Sequence, residues 1–190
     1  MDIKIFKKFS LEDFFSEFNT ANSKLDTGSL NAINAASSVA LFERAVLSLK
    51  DGEREEWLRR NALILKNYMI HLIDDDVKAR AGLLKEIKTG NSLTIEAAIH
   101  PACTINEEII NMLHQMLELA YECSSIIDKE MMHYLKESAQ LAIGTIKSCI
   151  IWLINITSQC TDDTYKYIVK RENEITLEEC ESLCRKILES

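Results

Sequence analysis

A single proline and five glycines in 190 residues supply too few turn positions for an all-β fold, which needs a sharp reversal every several residues. Basic clusters are missing too: the net charge is -8, and no run of Lys and Arg is long enough to follow a nucleic-acid backbone. No long hydrophobic run is present. Ala142 to Thr157, the longest, is interrupted by Lys147 and falls short of a comfortable bilayer span. The N-terminal stretch MDIKIFKKFSLED is charged throughout and carries no apolar core of a secretory signal. A soluble, cytoplasmic protein that binds neither nucleic acid nor membrane is the expectation. Its length suits one domain, 1–190, with room for a substantial core.

Cysteine is present but not dense. Six residues, at 103, 123, 149, 160, 180 and 184, are spaced unlike the framework of a disulfide-stapled secreted domain, so reduced, packed thiols are expected. Cys180 and Cys184 share a helical face at i,i+4, but nothing nearby in sequence completes a four-ligand set, and no metal is expected.

What fills the chain is helix signal. Ser10, followed three residues later by Asp13, has the form of a capping box and opens a short helix with Leu11, Phe14, Phe15 and Phe18. The polar linker NTANSKLDTGS leads to an Ala-rich segment, Leu30 to Leu49, whose Ala32, Ala35, Ala36 and Ala40 allow another helix to approach closely. Asp51-Gly52 breaks the chain. From about Glu53 to Lys88, residues Leu58, Ala62, Leu65, Met69, Leu72, Asp76, Ala79 and Leu83 recur at spacings of three and four, the stripe of one helix face. Asp76 lies on that stripe. Trp57, Ile64 and Tyr68 widen the apolar surface and predict contact on a second side.

A loop is expected from about Thr89 to Cys103, after which Thr104 and Glu107 repeat the capping-box form ahead of Ile109, Leu113, Met116 and Ala120. A further stripe runs from Met132 to Ile156, and Thr176 with Glu179 is expected to open a last helix carrying Leu177, Cys180, Cys184 and Ile187. The sum is an all-α, antiparallel multi-helix bundle of six or seven helices with long central members. Neither an internal repeat nor a phosphate loop, dinucleotide fingerprint or zinc-protease motif occurs.

The order of segments is more telling than any one of them. FSLEDFFSEF, a loop ending TGS, an Ala-rich helix, a long helix with LIDDDVKA and a helical pair ending CIIWLINIT together resemble the cyclodeaminase/cyclohydrolase family. That family contains methenyltetrahydrofolate cyclohydrolases and the C-terminal domain of formiminotransferase-cyclodeaminase. The family loop is a Pro, three Gly and a Ser or Thr, and the matching positions here are Leu25, Asp26, Thr27, Gly28 and Ser29. Gly28 and Ser29 keep the pattern and are candidate substrate contacts, whereas Asp26 or Thr27 is expected to cap the helix rather than to bind ligand. The family's Leu-Ile-Asp-Glu-Asp-Ala-x-Ala plus aromatic becomes Leu72 to Ala79 and then Arg80, which retains Asp74 and Asp76 and replaces the aromatic residue. A Ser-Asp pair of the family falls on Met132 and His133, and Asn155 keeps an Asn near the helix end.

The resemblance implies a tetrahydrofolate derivative as substrate, in either of two reactions. One hydrates the methenyl bridge to 10-formyltetrahydrofolate; the other closes a formimino group with loss of ammonia. Both pass through a cationic, amidine-like centre that a nearby carboxylate stabilises, and a carboxylate of raised pKa also accepts a proton from attacking water. Asp76, with Asp74 beside it in the motif, is the candidate acid/base, the alternative for Asp76 being a structural ion pair with Arg80 one turn on. Arg80, His133, Lys147 and Asn155 are the remaining candidate substrate contacts. Each has a plain structural alternative: an interhelical contact for His133, a solvent-reaching chain for Lys147, a buried amide hydrogen bond for Asn155. Asp75 is expected at the solvated surface. A homodimer is expected from the resemblance, with a non-catalytic ligand-binding or assembly role as the alternative to an enzyme.

Overall fold

In the computed structural model, residues 6–20, 23–50 and 52–190 are described. Asp51 of the Asp51-Gly52 break, Ala21 and Asn22 of the linker and the first five residues of the charged N-terminal stretch lie outside them. A 3-10 turn, Phe6–Lys8, precedes six α-helices: α1 (Leu11–Phe18), α2 (Thr27–Val46), α3 (Glu53–Thr89), α4 (Ser92–Cys123), α5 (Met132–Thr157) and α6 (Asp163–Glu189). No strand occurs among the described residues, and the all-α bundle is as the periodicity requires.

Local chemistry sets most of the helix ends. Ser10 caps α1, its hydroxyl accepting the Asp13 N–H at 3.1 Å. Glu53, Glu55 and Glu56 in the first turn of α3 and Lys88 in its last complement the helix dipole. Gly90 ends α3 in the left-handed conformation, φ 69°, which glycine adopts without penalty.

Two expected helix starts are corrected. No loop spans Thr89 to Cys103: α4 begins at Ser92 behind an Asn91 cap and runs through Pro101, and the Thr104 hydroxyl donates to the His100 carbonyl inside the helix. A mid-helix proline costs about 3 kcal/mol, but Ile99, Ala102 and Cys103 are buried on either side of it, and their packing holds the helix together across the gap. Glu96 anchors the same stretch by accepting from the Thr161 and Asp162 N–H groups and the Thr161 hydroxyl. Nor does Thr176 open the last helix, since its hydroxyl donates to the Glu172 carbonyl within α6. That helix starts at the Asp162 cap, and its inner stripe already includes Val169 and Asn173 ahead of Cys180, Cys184 and Ile187.

Packing partners follow from long-range bonds. Gly28 lies against Asp76, Glu43 against Lys66 and Leu49 against Arg59, so α2 and α3 are antiparallel. On the other side of α2, Ser38 and Ser138 each donate to the other's carbonyl at 2.8 Å, which locks α5 antiparallel to α2 at a contact of small residues. Next to α2 runs α4, parallel, joined through Asn31 and Asn106 at 3.0 Å. The outermost helix, α6, packs on α4 and α5.

By length and composition alone α5 is apolar enough to cross a membrane, longer than the interrupted run Ala142 to Thr157 suggests. In the fold it is a core helix, with Leu135, Ala139, Ala142, Ile146 and Cys149 fully buried. The expected second contact side of α3 is open in the single chain: Trp57 is 50% and Ile64 64% exposed.

Candidate functional site

The site is built where the first turn of α2 meets the middle of α3. Asp26 is the N-cap of α2, its N–H reaching Ser29 Oγ at 3.5 Å. Ser29 is fully buried, and its hydroxyl donates to Oδ2 of Asp76 across 2.5 Å. The Ser29 backbone N–H also bonds the Asp76 carboxylate. Asp76 therefore occupies the helix N-terminus where an anionic ligand group would be expected to sit, and takes the orphan N–H there itself.

Gly28 makes this approach possible. A Cβ at position 28 would lie 2.0 Å from Asp76 Oδ1, inside any contact distance. Glycine at position 28 thus serves the backbone's closeness to a carboxylate of the same chain.

Asp76 is only 3% exposed. Burial raises its pKa to about 6, against the opposing pull of the Ser29 hydroxyl and N–H bonds. The charge also reaches α5: burial first, and then the field of Asp76, push the Cys149 thiol well above its ordinary range. Cys149 is a neighbour that the sequence pattern did not single out.

Arg80, one turn beyond Asp76, pairs with Asp26 rather than with Asp76. The structural ion pair expected within α3 is corrected to one between α3 and the cap of α2. Burial lowers the Arg80 pKa, and its Nε is buried without a hydrogen-bond partner.

Asp74 points elsewhere. Two residues at 100° each put it about 200° around the helix from Asp76, where it accepts the Phe6 N–H at 2.7 Å and the Lys7 N–H at 3.3 Å, with Lys7 Nζ at 4.0 Å. It tethers the 3-10 turn to α3. Asp75 binds Lys78 at 2.6 Å on the surface, as its position predicts.

Gly28, Ser29, Asp76 and Arg80 thus come together, while three other candidates do not join them. His133 is exposed at the start of α5, with Nδ1 2.8 Å from the Glu130 carbonyl. It is sixteen positions before Cys149, about 24 Å along the helix axis. Lys147 is exposed and pairs with Glu181 of α6 at 2.7 Å. Asn155 is exposed near the end of α5, not the buried interhelical amide of the structural alternative. Among the described residues no cluster of three or more His, Cys, Asp or Glu is arranged to hold a metal ion.

No family model matches the sequence. No curated protein matches it either. Among solved structures, the crystal structure of formiminotetrahydrofolate cyclodeaminase from Thermotoga maritima superposes with a TM-score of 0.86, covering 96% of this chain and 97% of that one, at 15% identity. Over nearly its whole length the chain has the fold of that cyclodeaminase.

Proposed function

We propose that this protein is a cytoplasmic enzyme of folate one-carbon metabolism, acting on a tetrahydrofolate derivative either by hydrolysing the methenyl bridge or by cyclodeaminating a formimino group. The observation that carries the reading is Asp76, a buried carboxylate with a pKa of about 6 inside a cyclodeaminase-like fold. At neutral pH such a group is mostly ionised yet holds a proton far better than an exposed aspartate, the compromise a general base requires.

In the hydrolysis, water attacks the cationic methenyl carbon while Asp76 takes one of its protons; as one C–N bond of the resulting carbinol breaks, Asp76 returns that proton to the departing nitrogen, and the carbinol O–H proton passes to solvent as the formyl C=O forms. In the deamination, ring closure expels the formimino nitrogen as ammonia, and protonated Asp76 supplies a proton to it. Ser29 holds the carboxylate's orientation in both. Arg80, one turn from Asp76, pairs with Asp26 at the cap of α2, and in this reading the pair separates to admit substrate to the buried carboxylate. A homodimer through the open α3 face of Trp57 and Ile64 belongs to the same proposal.

The near-ultraviolet absorbance of methenyltetrahydrofolate is lost on hydrolysis, so its decay with wild type and with Asp76→Asn tests the reading, with ammonia release from formiminotetrahydrofolate as the parallel assay. Wild type is expected to accelerate one reaction and the variant to lose at least a hundredfold of that rate. No acceleration by wild type, together with no folate binding in calorimetry, would sink the enzyme. The second reading, a dimeric binding or assembly protein, is favoured by the Asp26–Arg80 pair, which fills space in the loop that glycines leave free in the family pattern.

A further inference from the structure

Helix α5 closes the bundle beside the Asp76 carboxylate, and the register of the helices shows which of its residues does so. Ser38 of α2 and Ser138 of α5 face each other across reciprocal hydrogen bonds of 2.8 Å. From that contact the antiparallel pair reaches Gly28 on α2 after about 15 Å and Cys149 on α5 after about 16 Å. The eleven positions from Ser138 to Cys149 make three turns to within about 20°, so Cys149 is directed at α2 as Ser138 is. It arrives at the first turn of α2, where the missing side chain of Gly28 admits Asp76. Cys149 is fully buried there, between Ile146 and Leu153 of the inner stripe.

The charged groups on the same elements are engaged elsewhere. Asp26 and Arg80 pair with each other, Asp74 holds the 3-10 turn, Asp75 binds Lys78, and Lys147 of α5 binds Glu181. Beyond Asp26 the first turn of α2 carries no titratable side chain. The hydrogen bonds that oppose burial at Asp76 both come from Ser29.

We propose that Cys149 is a positioning residue acting through Asp76: it presents a thiol where a hydroxyl would give the carboxylate another strong hydrogen bond, and thereby keeps Asp76 able to take up a proton. A thiol packs as a small hydrophobe and is a weak donor. It fills the space beside the carboxylate and excludes water while doing little to stabilise the charged form. Serine, of similar size, would donate a charge-assisted bond and favour the carboxylate. Burial and the field of Asp76 hold the thiol itself neutral, so it brings no second charge to the site. The consequence for the carboxylate stands on the packing alone, whereas the consequence for turnover rests on the acid/base role of Asp76 proposed above.

Carbon-13 NMR titration of the full chain, with the Asp76 carboxyl signal assigned by its loss in Asp76→Asn, tests the role in wild type, Cys149→Ser and Cys149→Ala. The serine variant is expected to lower the Asp76 midpoint by about one pH unit, and the alanine variant, which offers no donor, to keep it within about 0.3. Circular dichroism checks folding, and Cys149→Thr repeats the hydroxyl should the serine variant not fold. In the two folate assays, the acid limb of the kcat/KM profile is expected to move down with the midpoint in the hydroxyl variants alone. Equal midpoints in wild type and the hydroxyl variants, or the same displacement with alanine, would overturn the proposal. A lowered midpoint with no turnover by any of the proteins would uphold the role of Cys149 and dismiss the reaction; turnover with an unmoved midpoint would dismiss Cys149 alone.

Discussion

Ser29 and Asp76, 47 positions apart in the chain, share a hydrogen bond of 2.5 Å in the interior of the bundle. The bond does not fully offset the burial of the carboxylate, whose pKa remains raised to about 6. A carboxyl group with a folded pKa above its unfolded value near 3.9 binds more protons in the folded state between those two pH values. Stability therefore falls as pH rises through that window and is level in this respect above it.

Asp76→Asn removes the ionisation while leaving an amide oxygen to accept from Ser29. A shift of about two units corresponds to about 3 kcal/mol, so the variant is expected to be more stable than wild type by about 2 to 3 kcal/mol at pH 7.5. The advantage should vanish near pH 4. Urea unfolding of both proteins across this range checks it, and a difference independent of pH would show that Asp76 is not the titrating group.

Gly28→Ala places a methyl where Asp76 Oδ1 lies. Although alanine is the better helix former, the overlap is expected to destabilise the protein by about 1 to 3 kcal/mol. Gly144→Ala has open space around the added carbon and should stabilise by about 0.5 to 1 kcal/mol. Combining Gly28→Ala with Asp76→Ala should recover most of the loss, a coupling that a double-mutant cycle in denaturant measures directly.

The Asp26–Arg80 pair joins the cap of α2 to α3 with about a third of each side chain in solvent. A coupling energy of about 1 kcal/mol, diminishing in 1 M salt, is expected from a cycle of Asp26→Asn and Arg80→Gln. Asp26→Ala should lose about 1 kcal/mol more than Asp26→Asn, because alanine cannot cap.

Asn31→Leu strands the Asn106 side chain, whose Oδ1 accepts from Asn31 at 3.0 Å while its own Nδ2 is buried without a partner. The single change is expected to destabilise by about 1 to 3 kcal/mol. Replacing both residues by Leu should be milder than the single change, as read by thermal unfolding, because no polar group is then left unpaired.

Much of this was legible in the one-dimensional pattern. The α3 stripe from Leu58 to Leu83 is a local property of a 3.6-residue period, and it turned Asp76 inward and Asp75 outward before any contact was known. Thr104 and Thr176 misled for a shared reason. Both carry helix-end chemistry, and at both positions the burial of neighbours, Ala102 and Cys103 in one case and Asn173 and Cys180 in the other, outweighs the local preference. The site was only half legible: the resemblance brought together Gly28, Ser29 and Asp76, but also Asp74, His133 and Asn155, and the apolar run around it added Lys147; these four face other surfaces or lie turns away.

Sequence by itself determined the helices, their inward faces and the depth of Asp76, because side-chain periodicity depends on nothing beyond the helix. Tertiary structure alone decided what Asp76 meets. The antiparallel register of α2 and α3 brings Ser29 and the bare backbone of Gly28 to its carboxylate and hands Arg80 to Asp26 instead. Register between helices is set by small-residue packing such as Ser38 on Ser138, a sum over distant contacts that no single stretch of the chain contains.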